Sequence, residues 1–336
     1  MKGTIKTISI SGFKSIRELR NFQLRDLNIM IGANGAGKSN FVQIFRLLMA
    51  MAQKNLQEFI QVNGGADNFL HNGPRHTSHI EMEFDFWPFW PDSDAIENLN
   101  SYCFTLTRTV DGTFLIKEKE KHSEKQLELG LGVIGPCTFK GPLGTIPPQL
   151  LGEDEKLDGS WISLGAPSLE SRLCDKVSDN VAPFLICDTI SHWMAYHFHD
   201  TSATAPMRTW AEVMDNQFLR DNGGNIAPFL RRLRDDGKLH SRYQEIVRAV
   251  RLAMPFFDDF RLDTKEFRPG EEKVRLSWRQ RGSDFPMQPY HLSDGSIRFI
   301  CLATALLQPD PPSTIVIDEP ELGLHPEAIA LLAELI

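Results

Sequence analysis

The sequence has no long apolar run and no paired cysteines. No stretch reaches the roughly 18 consecutive apolar residues that mark a transmembrane helix. The first residues alternate as a strand would and do not form the apolar core of a signal peptide. The cysteines lack the C-x-x-C spacing of zinc or redox sites and stand singly at Cys103, Cys137, Cys174, Cys187 and Cys301. We therefore expect a cytoplasmic protein with reduced thiols and no membrane partner.

Several other signatures are also missing. The chain has no H-E-x-x-H metal motif, no N-K-x-D base-reading motif and no sustained heptads of a long coiled coil. His192, His197 and His199, followed by Asp200, are therefore predicted to be structural and not metal ligands. The formal net charge of −8 gives no overall positive field that would attract nucleic acid. A length of 336 residues allows one large or two modest domains.

The most informative stretch, Gly32–Ser39, reads GANGAGKS and has the G-x-x-x-x-G-K-[ST] spacing of a phosphate-binding loop. Its glycines let backbone N–H groups surround phosphate oxygens closely. Lys38 stands where an ammonium reaches the β and γ phosphates, and the Ser39 hydroxyl can ligate Mg²⁺. Leu27–Ile31 reads as a strand before the loop, and residues 41–51 read as a buried helix after it. Strand, loop and helix in this order predict nucleotide binding.

A second turn, Gly12–Ser15, interrupts the N-terminal strands. Its Lys14 is either a surface charge or a further contact to the nucleotide. The predicted nucleotide-binding residues are Gly32, Ala33, Asn34, Gly35, Ala36, Gly37, Lys38, Ser39, Asn40 and Lys14.

Two carboxylates follow a β-branched run late in the chain. Ser313–Ile317 reads as a strand buried on both faces of a mainly parallel sheet, and Asp318 and Glu319 come directly after it. Downstream of a phosphate loop, this strand end predicts that Asp318 holds Mg²⁺ and that Glu319 polarises the attacking water. Ser39 and Asp318 are thus the predicted metal ligands.

Between these motifs, Leu292–Ser296 opens an apolar helix that runs from Ile297 to Leu307. A hydroxyl, a glycine and a helix N-terminus together form an anion-binding site. The same residues also form an ordinary helix cap. Because the phosphate loop already serves this protomer's nucleotide, an anion site here would have to face the nucleotide of another subunit.

The middle of the chain carries weaker signals. Asp111–Gly112 predicts a two-residue hairpin between flanking strands. Residues 117–128 are of mixed charge and predict a solvated linker. Residues 130–165 are rich in glycine and proline and predict an irregular segment.

Two further segments have competing interpretations. Trp87–Pro91 is either a base-stacking platform or a packed loop, and its two prolines favour the loop. Residues 231–251 concentrate arginine and lysine. This predicts either a DNA-facing or partner-facing surface or a solvated helical face.

Taken in order, the motifs resemble those of the ATP-binding-cassette (ABC) ATPases. The resemblance is to the branch that contains the RecF, SMC, Rad50 and OLD-family proteins and their small AAA-family relatives. Gly32–Ser39 is similar to Walker A, Leu292–Ser296 to a degenerate signature motif, and Ile315–Glu319 to Walker B. Pro320–Pro326 resembles the D-loop region and Gly12–Ser15 the N-terminal NFRS element of that branch.

The resemblance implies an α/β fold, namely a P-loop NTPase of ABC-ATPase type with a mixed sheet core and an inserted, mainly helical lobe. Residues 1–129 would form the N-terminal part of the ATPase lobe and residues 130–255 the inserted lobe. Residues 256–336 would carry the signature helix, the Walker B strand and the D-loop.

The resemblance also implies an ATPase in which ATP and Mg²⁺ lie between two head-to-tail protomers, in a homodimer or higher even oligomer. Lys38 and Glu319 would be catalytic, with Glu319 as the general base. Ser293, Asp294 and Gly295 would act in trans on the partner's nucleotide. The expected role is a nucleotide switch in DNA-related or antiphage defence processes that regulates a separate effector protein such as a nuclease. The alternative is a nucleotide-dependent scaffold with little or no hydrolysis.

The chain departs from the family pattern. Asp294 replaces the usual glycine and Ser296 the usual glutamine, which weakens the expected trans contact. The Q-loop glutamine has no assigned position. Ile329–Ile336 predicts an amphipathic helix, and the family's switch histidine is expected beyond it, so we expect a shortened chain or one completed by another chain. The interval from Lys38 to Ser293 is longer than in transporter cassettes, which argues against that class.

Overall fold

The computed structural model of the chain describes four ranges, which are residues 4–87, 100–121, 161–175 and 181–336. They divide into two compact units, Met1–Trp193 and Met194–Ile336. Each unit combines helices with β-sheet, so the chain is of mixed α/β class.

Six strands of the first unit form one antiparallel sheet. Their bounds are β1 Ile5–Phe13, β2 Ile16–Gln23, β3 His79–Phe86, β4 Asn100–Arg108, β5 Phe114–Lys121 and β6 Ile162–Ser163. Among the described residues they lie in the order β2-β1-β3-β4-β5-β6. The sequence of β3 shows why it forms a strand of this sheet. Apolar side chains stand at every second position, and Ile80, Met82 and Phe84 are fully buried on one face.

The hairpin predicted around Asp111–Gly112 is confirmed, but its predicted two-residue connection is wrong, because residues 109–113 join the two strands. β4 and β5 pair on either side of it, beginning with Arg108 opposite Phe114. Gly112 has a φ of 80°, a left-handed conformation that glycine adopts at no steric cost.

The linker predicted at residues 117–128 is wrong for its first part, since β5 continues through Lys121. Glu118 points inward and is only 3% exposed. Three hydrogen bonds reach its carboxylate, and their donors are Tyr102 Oη, Ser171 Oγ and the Arg172 N–H. These donors offset the cost of burying a charge, and a run of charged letters does not reveal them. Residues 122–128 lie outside the described part of the chain.

The helices of the first unit are α1 Lys38–Ala52, α2 Leu56–Val62 and α3 Val181–Ser191, with a 3₁₀ turn at Ala66–Phe69. The buried helix predicted after the phosphate loop is confirmed. Ile44, Leu47 and Met51 of α1 are fully buried, so α1 is fixed by its packing and holds the loop at its N-terminal end.

The strand predicted at Leu27–Ile31 is wrong. These residues join no ladder in the described part of the chain. The side chains of Ile29 and Ile31 are 72% and 93% exposed. β-branched residues favour a strand only where a neighbouring strand supplies hydrogen bonds and packing, and the sequence of the segment alone does not specify such a neighbour.

Cys174 and Cys187 form a disulfide, so the prediction of single, reduced cysteines is wrong for this pair. Their separation of 13 residues matches no metal or redox spacing, and the chain fold alone brings them together. Cys103 and Cys301 are free thiols.

The remaining strands are β7 Trp193–Tyr196, β8 Ala211–Glu212, β9 Phe257–Arg261, β10 Thr264–Arg268, β11 Glu271–Val274, β12 Ser277–Gln280, β13 Pro286–Met287 and β14 Thr314–Ile317. The remaining helices are α4 Ile226–Asp235, α5 His240–Ala253, α6 Asp294–Leu307 and α7 Pro326–Leu335, with 3₁₀ turns at Pro206–Arg208 and Pro289–His291. Within the described residues the strands form small sheets in the orders β10-β11-β8, β13-β12-β9 and β14-β7. Ile297 and Ile300 of α6 and Val247 of α5 lie in the buried core of this unit.

The strand that precedes the two carboxylates is confirmed as β14, but its predicted burial is not. All four of its residues are only half-buried. In the described part of the chain it pairs with β7 in a two-stranded sheet. The hydrophobic run therefore predicted the strand correctly but not its burial on both faces.

Three sequence predictions are not decided by the described residues. Residues 88–91 of the aromatic segment and most of residues 130–165 lie outside them. The division at residues 129 and 255 stays a prediction. None of the described helices combines the length and the apolarity that crossing a bilayer requires.

Candidate nucleotide-binding and catalytic sites

The phosphate loop leads directly into α1. Gly37 is the N-cap of α1, with a φ of 98°, and Gly35 has a φ of 81°. Residues 33–36 form a tight turn, which the hydrogen bond from the Ala36 N–H to Ala33 O at 3.1 Å closes. Residues 32–36 and Ser39 are exposed, and Gly37 and Lys38 are half-buried. The glycines thus hold an open, curved backbone at the positive end of a buried helix, which suits a phosphate group.

Lys38 folds back over this loop. Its Nζ donates to the carbonyl oxygens of Gly32 at 2.7 Å and Ala33 at 3.1 Å. The ammonium therefore lies against the loop that is predicted to surround the phosphates. A bound triphosphate would offer this cation a stronger, charge-assisted partner than two neutral carbonyls.

The N-terminal turn contacts the loop through Ser15, a contact that sequence analysis did not predict. Asn40 Nδ2 donates to Ser15 Oγ at 2.8 Å. A Cβ on Gly37 would lie 2.5 Å from the same oxygen, so Gly37 is needed for close approach as well as for its left-handed backbone. The resemblance of Gly12–Ser15 to the NFRS element assigns Ser15 no partner, and only the fold shows that its hydroxyl meets the loop.

Lys14 occupies the same turn but is engaged with Phe69. Its backbone is left-handed, with a φ of 47°. Its N–H donates to Phe69 O at 2.8 Å, and its Nζ lies 4.5 Å from the centre of the Phe69 ring. Burial lowers the pKa of Lys14. A nucleotide contact by Lys14 stays a prediction.

Asp318 and Glu319 follow β14 at the start of a tight turn. Glu319 has a φ of 48°, a left-handed conformation that costs a non-glycine residue about 1 kcal/mol or more. The Leu322 N–H donates to Glu319 O at 3.1 Å and closes the turn. Strain of this kind persists only where surrounding contacts fix the backbone.

His199 supplies one of these contacts, although its sequence context predicts only a structural histidine. Its Nε2 lies 2.9 Å from Asp318 O and 4.0 Å from Glu319 Oε2. Because a carbonyl oxygen only accepts, Nε2 carries the proton of the shorter bond. The histidine therefore touches both acidic residues of the predicted catalytic site, and no motif spacing connects positions so far apart in sequence.

Arg298 of α6 ties the His199 segment to the turn after Glu319. It is a buried residue, 5% exposed. Its Nε donates to Phe198 O at 2.9 Å, its Nη2 to His199 O at 3.1 Å, and its Nη1 to Leu322 O. Burial lowers the pKa of this guanidinium. One side chain thus fixes two loops that flank Glu319.

The residues before α6 form the helix cap that was one of two interpretations. Ser293 is the N-cap, and its Oγ accepts from the Ser296 N–H at 3.1 Å. A Cβ on Gly295 would lie 2.2 Å from Gly323 O. A glycine is therefore required at position 295 within the protomer itself, because the turn that follows Glu319 approaches its backbone closely. The trans role of Ser293 and Gly295 stays a prediction.

Asp294, the departure from the family pattern, has a partner that sequence analysis did not identify. Arg208 Nη2 binds Asp294 Oδ1 at 2.9 Å. The Arg208 side chain is 6% exposed, and its Nη1 donates to Leu292 O at 3.1 Å. The aspartate at the start of α6 therefore anchors an arginine that also holds the preceding backbone.

The basic segment at residues 231–251 is partly neutralised within its own unit. Arg231 and Arg234 bind Asp235 at 3.3 Å and 2.7 Å, and Arg242 binds Glu245 at 2.8 Å. These pairs are those of a solvated helical face. A DNA contact by this segment stays a prediction.

The chain matches two family models. Residues 1–130, which include the phosphate loop, match that of the AAA ATPase domain. Residues 197–336, which include the helix cap and the acidic strand end, match that of an AAA domain whose description names the AbiEii toxin and a type IV toxin–antitoxin system. The chain belongs to the AAA-family ATPases of the RecF/SMC-like branch. Among the curated proteins, none matches the chain.

Membership in the AAA-family ATPases implies a P-loop NTPase fold and the binding and hydrolysis of ATP with Mg²⁺. The two predicted metal ligands of this AAA-family ATPase occupy different units, Ser39 in the first turn of α1 and Asp318 directly after β14. A hydroxyl and a carboxylate are oxygen donors of the kind that Mg²⁺ prefers. Each side chain by itself is a donor that suits Mg²⁺, and a metal site that uses both stays a prediction.

Proposed function

We propose that this AAA-family ATPase is of ABC type, hydrolyses ATP, and uses the nucleotide to switch between separate and paired protomers. The observation that carries the proposal is the phosphate loop itself, with Gly37 left-handed at the start of a buried helix and the Lys38 ammonium held against Gly32 O and Ala33 O. Few structures other than a phosphate site need a lysine folded over a glycine-rich helix start.

The reaction assigns a role to each side chain. Lys38 binds the β and γ phosphate oxygens and offsets the charge that develops on them. Glu319 accepts a proton from the attacking water while the oxygen of that water bonds to the γ phosphorus. The bond from the γ phosphorus to the bridging oxygen breaks, and that oxygen leaves on ADP. Mg²⁺, for which Ser39 and Asp318 are the predicted ligands, would add Lewis-acid stabilisation of the same phosphates.

The second part of the proposal is a homodimer or higher even oligomer. The exposed N-terminus of α6 supports it, since Ser293 and Asp294 lie at the surface beside Gly295. A helix N-terminus attracts phosphate, and the loop of the same protomer already provides one. Ser293, Asp294 and Gly295 would therefore meet the nucleotide of a second copy.

Asp294 favours a second candidate function, a nucleotide-dependent scaffold with little hydrolysis. A carboxylate at the start of α6 places a negative charge where the partner's phosphate would bind. Its ion pair with Arg208 reduces this repulsion without removing it. Slow turnover with stable assembly is the expected outcome of such a contact.

The biological setting of the proposal is a DNA-related or antiphage defence process in the cytoplasm. The AbiEii toxin named in one family description supports defence. A separate effector protein would bind the paired state. The basic segment at residues 231–251 of this chain would contact DNA.

Steady-state phosphate release from Mg-ATP tests the enzymatic proposal. Wild type should release phosphate, and Glu319→Gln should lower the rate by about a hundredfold or more, the usual size of a lost general base. Glu327→Gln is the matched control, because its carboxylate is 89% exposed on the first turn of α7. Equal background rates for wild type and Glu319→Gln would leave the scaffold. Light scattering of Glu319→Gln should show a doubled mass only with Mg-ATP, and an unchanged mass would contradict both candidates.

A further inference from the structure

The peptide bond between Asp318 and Glu319 is held by a histidine from a distant part of the sequence. His199 Nε2–H donates to Asp318 O at 2.9 Å. The side chain of His199 is 24% exposed and that of Glu319 39%, so both can meet a water molecule while their backbones are fixed. The same Nε2 is 4.0 Å from Glu319 Oε2, which is contact but not a second short hydrogen bond.

This carbonyl matters because it belongs to the peptide that sets the φ of Glu319. That φ is 48°, and an L-residue relaxes from it toward negative values unless its peptide plane is held. A change of that φ would swing the Glu319 Cα–Cβ bond relative to the Asp318–Glu319 peptide plane, and the hydrogen bond from His199 to Asp318 O fixes the orientation of that plane. The hydrogen bond and the direction of the carboxylate are therefore linked.

His199 is itself fixed by buried contacts. Arg298 donates to His199 O at 3.1 Å and to Phe198 O at 2.9 Å, and Phe198 is buried. Arg298 also binds Leu322 O, at the far side of the turn that Glu319 begins. The ring of His197 lies 4.1 Å from the ring of His199. The imidazole is thus anchored to the same rigid helix as the turn that it contacts.

We propose that His199 is a positioning residue for Glu319. Its Nε2–H holds the Asp318–Glu319 peptide in the orientation that aims the Glu319 carboxylate at the attacking water. The proposal rests on the proposed function, in which Glu319 is the general base. It assigns His199 no contact with ATP and no proton transfer.

The role requires a donor at the position of Nε2, which permits a matched pair of substitutions. The amide nitrogen of glutamine can occupy the place of Nε2, whereas the shorter asparagine cannot reach Asp318 O. His199→Gln should keep kcat within about threefold of wild type, and His199→Asn and His199→Ala should lower it about tenfold or more, since a misaimed catalytic group costs up to about a hundredfold per ångström. KM for ATP should stay within about twofold, because the phosphate loop is unchanged.

His192→Ala is the control for removing a histidine. Its ring also bonds a backbone carbonyl, Asp188 O at 2.7 Å, and it lies exposed directly after the C-terminal end of α3. This variant should keep wild-type kcat and KM. If His199→Ala does not fold, the comparison of the glutamine and asparagine variants decides the question.

A double-mutant test separates positioning from a general structural effect. In the Glu319→Gln background, His199→Ala should lower the residual rate no further, because the group that it positions is gone. An equal fall in both backgrounds would overturn the proposal, as would equal kcat for the glutamine and asparagine variants. If wild type hydrolyses ATP and His199→Ala matches it, the inference fails and the proposed function stands. If wild type releases no more phosphate than Glu319→Gln, both fail.

Discussion

The close approach between Gly295 and Gly323 leads to the sharpest stability prediction. A Cβ on Gly295 would lie 2.2 Å from Gly323 O and 3.2 Å from its carbonyl carbon. These are backbone atoms, so no flexible side-chain end can move aside. The substitution Gly295→Ala must therefore displace either the start of α6 or the turn after Glu319 by about 1 Å to restore van der Waals distance.

Two opposing terms set the size of the effect. Overpacking of this kind costs about 1 to 3 kcal/mol. Alanine is a better helix former than glycine, which returns about 0.5 to 1 kcal/mol at the second position of α6. We expect the clash to win and the free energy of unfolding of the second unit to fall by about 1 to 2 kcal/mol. With a urea slope of about 2 kcal/mol per molar, the midpoint should fall by about 0.5 to 1 M.

Urea unfolding without nucleotide measures this effect, with Gly237→Ala as the matched control. Gly237 has open space around its Cβ position and no left-handed backbone, so its substitution should stay within about 0.5 kcal/mol of wild type. A Gly295→Ala protein as stable as Gly237→Ala would refute the close approach. If that stable variant also lost ATP-driven pairing, Gly295 would serve only the partner's nucleotide.

Three other predictions concern Arg298, the disulfide and the buried Glu120. Arg298→Met removes the side chain that donates to three carbonyls and should lower the free energy of unfolding by about 2 to 4 kcal/mol. Arg298→Lys should lower it less. Equal stability of wild type and Arg298→Met would contradict this role of Arg298. A reductant should destabilise the first unit by about 3 kcal/mol, as expected for the 13-residue separation of Cys174 and Cys187, and a Cys174→Ser, Cys187→Ser double variant should not respond to it. Burial raises the pKa of Glu120 to about 8. A raised carboxyl pKa means that the folded state binds more protons than the unfolded state, so the free energy of unfolding should fall as pH rises from about 4.5 to 8. Glu120→Gln should flatten this dependence on pH.

Sequence analysis predicted the local parts of the site. The glycine spacing of the phosphate loop, the apolar periodicity of α1 and the Asp-Gly hairpin each lie within a few consecutive residues, and the structure contains all three. Ser293 as a helix cap is likewise local, because its Oγ bonds an N–H three residues on.

The missed features depend on residues distant in sequence. His199 meets Asp318 across more than a hundred positions, and Arg208 meets Asp294 across 86. Glu118 is buried because separate segments supply its donors. Leu27–Ile31 has a strand's composition without a strand's neighbour. In each instance the physical cause is a tertiary contact, and no periodicity or motif spacing encodes it.

The central claim is that the loop from Gly32 to Ser39 holds ATP and that Glu319 hydrolyses it. A single-turnover experiment with γ-labelled ATP and excess protein measures both steps, since it reports bound ATP and released phosphate over time. Wild type should bind ATP and convert it, Glu319→Gln should retain it uncleaved, and Lys38→Ala should bind little or none. Equal cleavage by wild type and Glu319→Gln, or equal binding by wild type and Lys38→Ala, would contradict the account.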